Sequence, residues 1–293
     1  MDSIPRTDLA LEEREARADP QIDGVRFSET EINGYRVCDL SIETEKGADA
    51  LCKPIGRYLT VELSPLISRE ERAFEDGAGV LASLISELVP RDGPVLVCGL
   101  GNPEITPDAV GHLAARSVIV TRHLVRELPS PFSGFRPVAC LEPGVLGTTG
   151  VESSEIIKAV VERVEPCAVI AVDALASRRP ERLCRTVQIS DSGIVPGSGV
   201  GNARDALSEK TLGVPVIAVG VPTVVEAAAL AFELAADSGA SISEESLRSK
   251  GGGLIVTPRD IDAKVSDISK LVGYGIDLAL NPELTAADVD MLV

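Results

Sequence analysis

The chain has no tryptophan, and aromatic residues make up only 3% of its 293 positions. A core built almost without rings must be filled by Val, Ile, Leu and Ala. That favours packed strands and helices over an aromatic-rich β-sandwich. Histidine is as scarce: His112 and His123 are the whole supply. Any Ser–His or Cys–His device must use one of them, and a zinc site of ordinary ligand spacing has too little to draw on. Basic residues are in deficit. Against 45 Asp and Glu stand 28 Lys and Arg, a net charge of −17. A nucleic-acid-binding surface needs a basic footprint, and so does binding to an anionic membrane, so the charge argues against both and fits neutral or basic partners. No apolar run approaches the ~20 residues of a membrane helix. Met1–Arg17 lacks the apolar stretch of a secretion signal, so a cytoplasmic protein is expected. The six cysteines (Cys38, Cys52, Cys98, Cys140, Cys167 and Cys184) contain no CxxC pair. Most sit in apolar runs and read as reduced, buried thiols.

What is present is a change of period along the chain. Val25–Phe27, Tyr35–Ile42 and Tyr58–Leu63 alternate apolar with polar, the mark of half-buried strands. Asn33-Gly34 reads as the turn between two of them. Short apolar runs follow at Val95–Cys98, Ser117–Thr121, Pro137–Leu141, Ala168–Val172, Thr186–Ile189 and Val214–Val219. Helical spacing fills Leu9–Ala18, Phe74–Leu88, Ser154–Val164, Val224–Ala236, Pro258–Val272 and Gly273–Leu280. A further helix should follow the cap residues Thr106-Pro107-Asp108. Buried strands alternating with helices indicate an α/β fold, a mostly parallel sheet flanked by helices with an N-terminal β extension. Ser238–Lys250 and the glycines after it read as a surface connection within one domain.

In an open α/β sheet, sites gather at the carboxyl edge of the strands. Two acidic residues are expected there. Asp173 follows five apolar residues, Ala168–Val172, and Asp108 lies beyond the loop Gly99-Leu100-Gly101-Asn102. Burial raises a carboxyl pKa, and a second carboxyl nearby raises one of the pair further. Such a pair can share a proton and activate water for attack on an amide. The plainer reading, that each aspartate caps a helix, stays open at this point. Gly99–Asn102 resembles the start of a dinucleotide fingerprint, but Glu104 at the third glycine position would repel a pyrophosphate. A tight turn is the better reading. Gly197-Ser198-Gly199-Val200-Gly201-Asn202 is a second Gly-rich loop whose amides suit an oxyanion or anion, with a plain close turn equally open. It has no Lys-Ser/Thr ending, and Pro196 stands where a nucleophile elbow needs glycine.

Several segments, in order, resemble the germination proteases of spore-forming bacteria. They are Arg6–Glu12, Gly56–Glu62, Gly99–Asn102 with Thr106–Ala109, Val120–Leu124, Pro143–Gly150, Asp173–Arg178, Ile189–Ile194, Pro196–Asn202 and Thr211–Thr223. The resemblance departs between Ala236 and Leu254, where relatives carry a longer insert. It implies an aspartic-type endopeptidase with a fold like that of hydrogenase maturation peptidases, acting on small acid-soluble spore proteins in the spore core. It implies catalytic roles for Asp108 and Asp173, and no cofactor or metal is expected. It also implies a homotetramer made as an inactive zymogen, with residues 1–8 as propeptide and 9–293 as the peptidase domain. The expected self-cleavage falls between Asp8 and Leu9, in an acidic–apolar–Ala sequence like that of the substrates. Gly99, Gly101, Asn102, Gly197, Ser198 and Gly199 are candidates for an oxyanion or substrate loop. Two rivals remain: a metal-dependent peptidase with the aspartates as ligands, and a non-catalytic protein that binds a peptide or anion.

Overall fold

A single sheet organises the chain in the computed structural model, which describes residues 7–17, 19, 21–201, 204–240, 247 and 253–293. Its strands are β1 (Val25–Ile32), β2 (Tyr35–Ile42), β3 (Gly56–Glu62), β4 (Val95–Gly99), β5 (Val138–Leu141), β6 (Ala168–Ser177), β7 (Thr186–Ser190), β8 (Val216–Glu226) and β9 (Ile255–Val256). The order is β1-β2-β3-β7-β8-β6-β4-β5, with β9 pairing β8. The α/β expectation holds, but the sheet is mixed rather than mostly parallel: among the described residues five of its eight strand pairings are antiparallel, because the N-terminal extension, β7 and β9 add only antiparallel neighbours. Strands β8, β6, β4 and β5 run parallel to one another, and the N-terminal β1–β3 extension joins them through the antiparallel pairs β3–β7 and β7–β8.

The helices are α1 (Ala10–Glu15), α2 (Glu45–Leu51), α3 (Ser64–Ile67), α4 (Ala73–Leu88), α5 (Val110–Arg116), α6 (Arg122–Glu127), α7 (Leu146–Thr149), α8 (Ser153–Val164), α9 (Glu209–Leu212), α10 (Ala227–Asp237), α11 (Ile261–Leu280) and α12 (Ala286–Leu292). Side chains alternate across a strand, so the sheet feeds two cores. Val95, Val97, Ile170, Val172, Ile217 and Val219 pack with α4, α5 and α11 on one face. Leu96, Cys98, Val169, Ala171 and Val216 pack with Ile157 and Val161 of α8 on the other.

Three further expectations are corrected. Ser117–Thr121 is not a strand. The Ser117 and Val118 amides bond to carbonyls of α5, Ile119 N–H goes to the Asp277 carboxyl and Thr121 N–H to Val138 O, which leaves no ladder to form. Pro258–Val272 and Gly273–Leu280 are not two helices, because α11 runs unbroken through Gly273 and Gly275. A Cβ at those positions would lie 2.6 Å from Ser117 Cβ and 2.7 Å from Leu81 Cβ, so both glycines serve close helix contacts. The strand β8 takes Val224–Glu226 from the expected helix, which starts at Ala227. Most of the expected surface connection at Ser238–Lys250 lies outside the described residues.

Candidate active site

Asp173 is not at a strand end. The strand β6 continues to Ser177, so the carboxyl sits mid-strand, only 4% exposed, on the same face as Val169 and Ala171. Its Oδ1 accepts the Ala174 N–H at 2.9 Å. A strand interior has no helix to cap, which removes the capping reading. Desolvation holds its pKa well above the ordinary value, and the nearby Asp108 carboxylate raises it further.

Asp108 ends a single 3₁₀ turn, Thr106–Asp108, just before α5. Three contacts bring it to β6 and the adjoining β8. Leu100 N–H donates to Val172 O at 2.8 Å, tying the glycine loop to the residue before Asp173. Thr223 Oγ1 of β8 donates to Pro107 O at 2.6 Å. Gly111 lets α5 approach, since a Cβ there would stand 2.2 Å from Val172 O. Gly101 has φ of +94°, and its missing Cβ would stand 2.0 Å from Asp108 O, so the loop closes over Asp108 only as glycine. Burial raises the Asp108 pKa too, while the Asn102 N–H bonded to its Oδ2 at 2.8 Å pulls the other way. That bond commits the Asn102 amide, one of the oxyanion candidates. Gly99 is the last residue of β4.

Both aspartates line one cavity of 260 Å³, and Asp8 lines it with them. Asp8 does not cap α1, whose first turn has no side-chain cap. Instead its Oδ2 accepts the Ala176 N–H at 2.8 Å, its Oδ1 accepts Ser198 Oγ–H at 2.6 Å, and its own N–H donates to Ala176 O. Ser198 of the second Gly-rich loop thus meets the N-terminus, with Gly197 and Gly199 lining the same cavity. Asn202 and Met1–Arg6 lie outside the described residues. Thr7 and Asp8, at the end of the expected propeptide, are firmly held. Thr7 is buried, and Lys53 Nζ donates to its carbonyl at 2.8 Å. Burial pushes the Lys53 ammonium down, opposed by the Asp8 and Glu13 carboxylates.

Sequence reasoning missed the groups that hold this segment. Leu9 and Ala10 are fully buried. Glu12, 1% exposed, accepts from Thr7 Oγ1, Ser177 Oγ and the amides of Arg178 and Arg179. Gln188 of β7 bonds on both sides of Leu9, accepting the Ala10 N–H at 2.8 Å and donating to Asp8 O at 3.2 Å. The only sequence signal was the polar alternation Thr186, Gln188, Ser190 in an otherwise apolar run. Neither histidine lines the aspartate cavity. His112 pairs with Glu142 at 2.5 Å, and His123 is exposed on α6. Among the described residues no group of three or more His, Cys, Asp or Glu is set to hold a metal ion, and no helix is long and apolar enough to cross a membrane. All six cysteines are free.

A family model described as germination protease matches residues 4–237. The chain belongs to the germination protease family. A germination protease of Caldanaerobacter subterraneus subsp. tengcongensis is 43% identical, with 98% of each chain covered. That of Bacillus subtilis is 35% identical over 96% of this chain and 94% of its own. A solved [NiFe] hydrogenase maturation protease, HycI from Thermococcus kodakarensis, aligns at a TM-score of 0.37 and 16% identity, over 66% of this chain and 98% of that one. That likeness is too weak to build on. Family membership makes the chain a protease with a role in spore germination.

Proposed function

We propose that the chain is an aspartic-type endopeptidase that cleaves small acid-soluble spore proteins and is made as a self-processing zymogen. The observation that carries this reading is the meeting of three carboxyls. The buried Asp173 and the half-buried Asp108 open on one cavity, and Asp8 of the N-terminal segment lines it with them. Asp173, the more deeply buried, keeps its proton. Asp108, less deeply buried, is the member that ionises. Asp108 is then the base that takes a proton from water, and Asp173 the acid that gives one to the leaving amine. The segment around Asp8–Leu9 occupies the site as a substrate would and blocks it until cut. The chain is expected to work in the spore core as a homotetramer. The direct test is incubation of the purified protein with a small acid-soluble spore protein and mass spectrometry of the fragments. Absence of cleavage sinks the reading.

Two further outcomes are expected. Held at mildly acidic pH, the chain should lose residues 1–8, read as its N-terminal mass. Recovery of only full-length protein from an otherwise active enzyme counts against self-processing, as does a processed form when Asp108→Asn is the sole enzyme present. Chelators should leave the activity intact. Loss on chelation that is restored by added metal would move the choice to a metal-dependent peptidase.

A further inference from the structure

The bond proposed for self-cleavage already has a hydrogen-bond donor on its carbonyl. Gln188 Nε2 lies 3.2 Å from Asp8 O, and Oε1 of the same carboxamide lies 2.8 Å from the Ala10 nitrogen. The Ala10 N–H can only donate, so the oxygen of the amide must face it and the NH₂ must face Asp8. One buried side chain, 8% exposed, therefore grips the backbone on both sides of Leu9. Sheet register shows where that grip sits. Asp173 pairs with Gly220, and Gly220 pairs with Gln188. The three form one row across β6, β8 and β7. Paired residues share a face, so Asp173 and Gln188 rise from the same side of the sheet, two strands apart. Gly220 between them leaves room for Leu175, which a Cβ would meet at 2.3 Å. Three of the glycine-loop amides are engaged elsewhere: Asn102 N–H by Asp108, Ser198 N–H by Val195 O and Gly201 N–H by Ser198 O.

We propose that Gln188 is a catalytic residue, whose Nε2–H stabilises the oxyanion formed when water adds to the Asp8 carbonyl carbon and to the equivalent carbonyl of a substrate. This rests on the reading of Asp8–Leu9 as the bond that is cut. In that reading the water oxygen bonds to the Asp8 carbonyl carbon, and the C=O π pair moves onto the oxygen facing Gln188. The water proton passes to the Asp108 carboxylate. Collapse of the intermediate breaks the C–N bond, and the Asp173 carboxyl gives its proton to the Leu9 nitrogen. The new acid passes its own proton to the new amine. The aspartate pair ends with one proton, as it began, but on its other member. The Gln188 bond gains strength as negative charge develops on the oxygen it faces, which makes it a transition-state interaction rather than an anchor.

The test compares Gln188→Glu, which keeps the shape but removes the donor, with Gln188→Ala. The full chain is followed by intact mass for its first-order self-processing rate. The processed chain is assayed for kcat and KM on a peptide spanning Thr7–Glu12. Rates are taken from pH 4 to 8 as ratios to the unmodified chain, and melting curves confirm that each variant is folded. Near neutral pH both variants should lose about 10²- to 10³-fold in rate and in kcat, with KM nearly unchanged. A protonated glutamic acid is again a donor. The Gln188→Glu ratio should therefore climb as pH falls through the ordinary carboxyl range, while the Gln188→Ala ratio stays low. A raised KM at unchanged kcat, or the same pH profile for both variants, would show an anchor only and overturn the proposal. Failure of the unmodified chain to cut either itself or the peptide would instead overturn the peptidase reading, and Gln188 with it.

Discussion

Asp108→Asn and Asp173→Asn are each expected to lower peptide hydrolysis by about 10²- to 10⁴-fold, the range lost with a general acid or base. Each change keeps the side-chain shape. In Asp108→Asn the amide oxygen can still accept the Asn102 N–H that now bonds Oδ2, so the loop stays closed while the base is gone. In Asp173→Asn the amide oxygen can still accept the Ala174 N–H, and a neutral amide with no proton to give replaces a neutral acid. The second variant should also fold at least as well as the parent above the ordinary carboxyl range. It removes a group that burial and the Asp108 charge both penalise when ionised. The measurement is kcat/KM on a spore-protein peptide beside circular dichroism. Near-native turnover by either variant, with an unchanged spectrum, ends the role assignment.

Asp173 was legible because a carboxyl after Ala168–Val172 has no ordinary solvated place to go. Its true setting was not. Nothing local tells a strand to run on through an aspartate to Ser177. What permits it is the register with β8, brought from far along the chain. Asp108 itself looked like a cap, and it does sit at the entrance to α5. Its meeting with β6 depends on Gly111, whose close approach is invisible without the fold. Ser117–Thr121 misled for the converse reason. Val118-Ile119-Val120 has strand composition, but Asp277, nearly 160 positions on, takes the Ile119 amide. Asp8 likewise stands just before a helix, α1, but does not cap it, because its carboxylate bonds Ala176 and Ser198 instead. Periodicity recovers which face a residue occupies. The polar partners that decide a site are set by topology, and Gln188 is the clearest case, since it gains its place only when β7, β8 and β6 align.

The same Asp277 should control how stability varies with pH. It is fully buried in α11, its Oδ1 accepts the Ile119 N–H at 2.9 Å, and its Oδ2 has no hydrogen-bond partner among the described residues. Desolvation pushes its pKa from 3.8 up to about 7, against the pull of the Ile119 amide. The sign follows from proton binding. Between the two values the folded chain holds a proton that the unfolded chain releases, so stability from this group falls as pH rises through that window and levels off above it. Roughly three pKa units correspond to about 4 kcal/mol. Asn in its place keeps an acceptor for Ile119 and cannot ionise. Relative to its standing near pH 4, Asp277→Asn is therefore expected to gain on the parent as pH rises to 8, by about 5–10 °C in melting temperature for a chain of this size. Taking the difference between the two proteins cancels Asp173 and every other group that titrates in both. Parallel melting curves across that range would mean that Asp277 stays ionised in the fold, and that the Ile119 amide outweighs its burial.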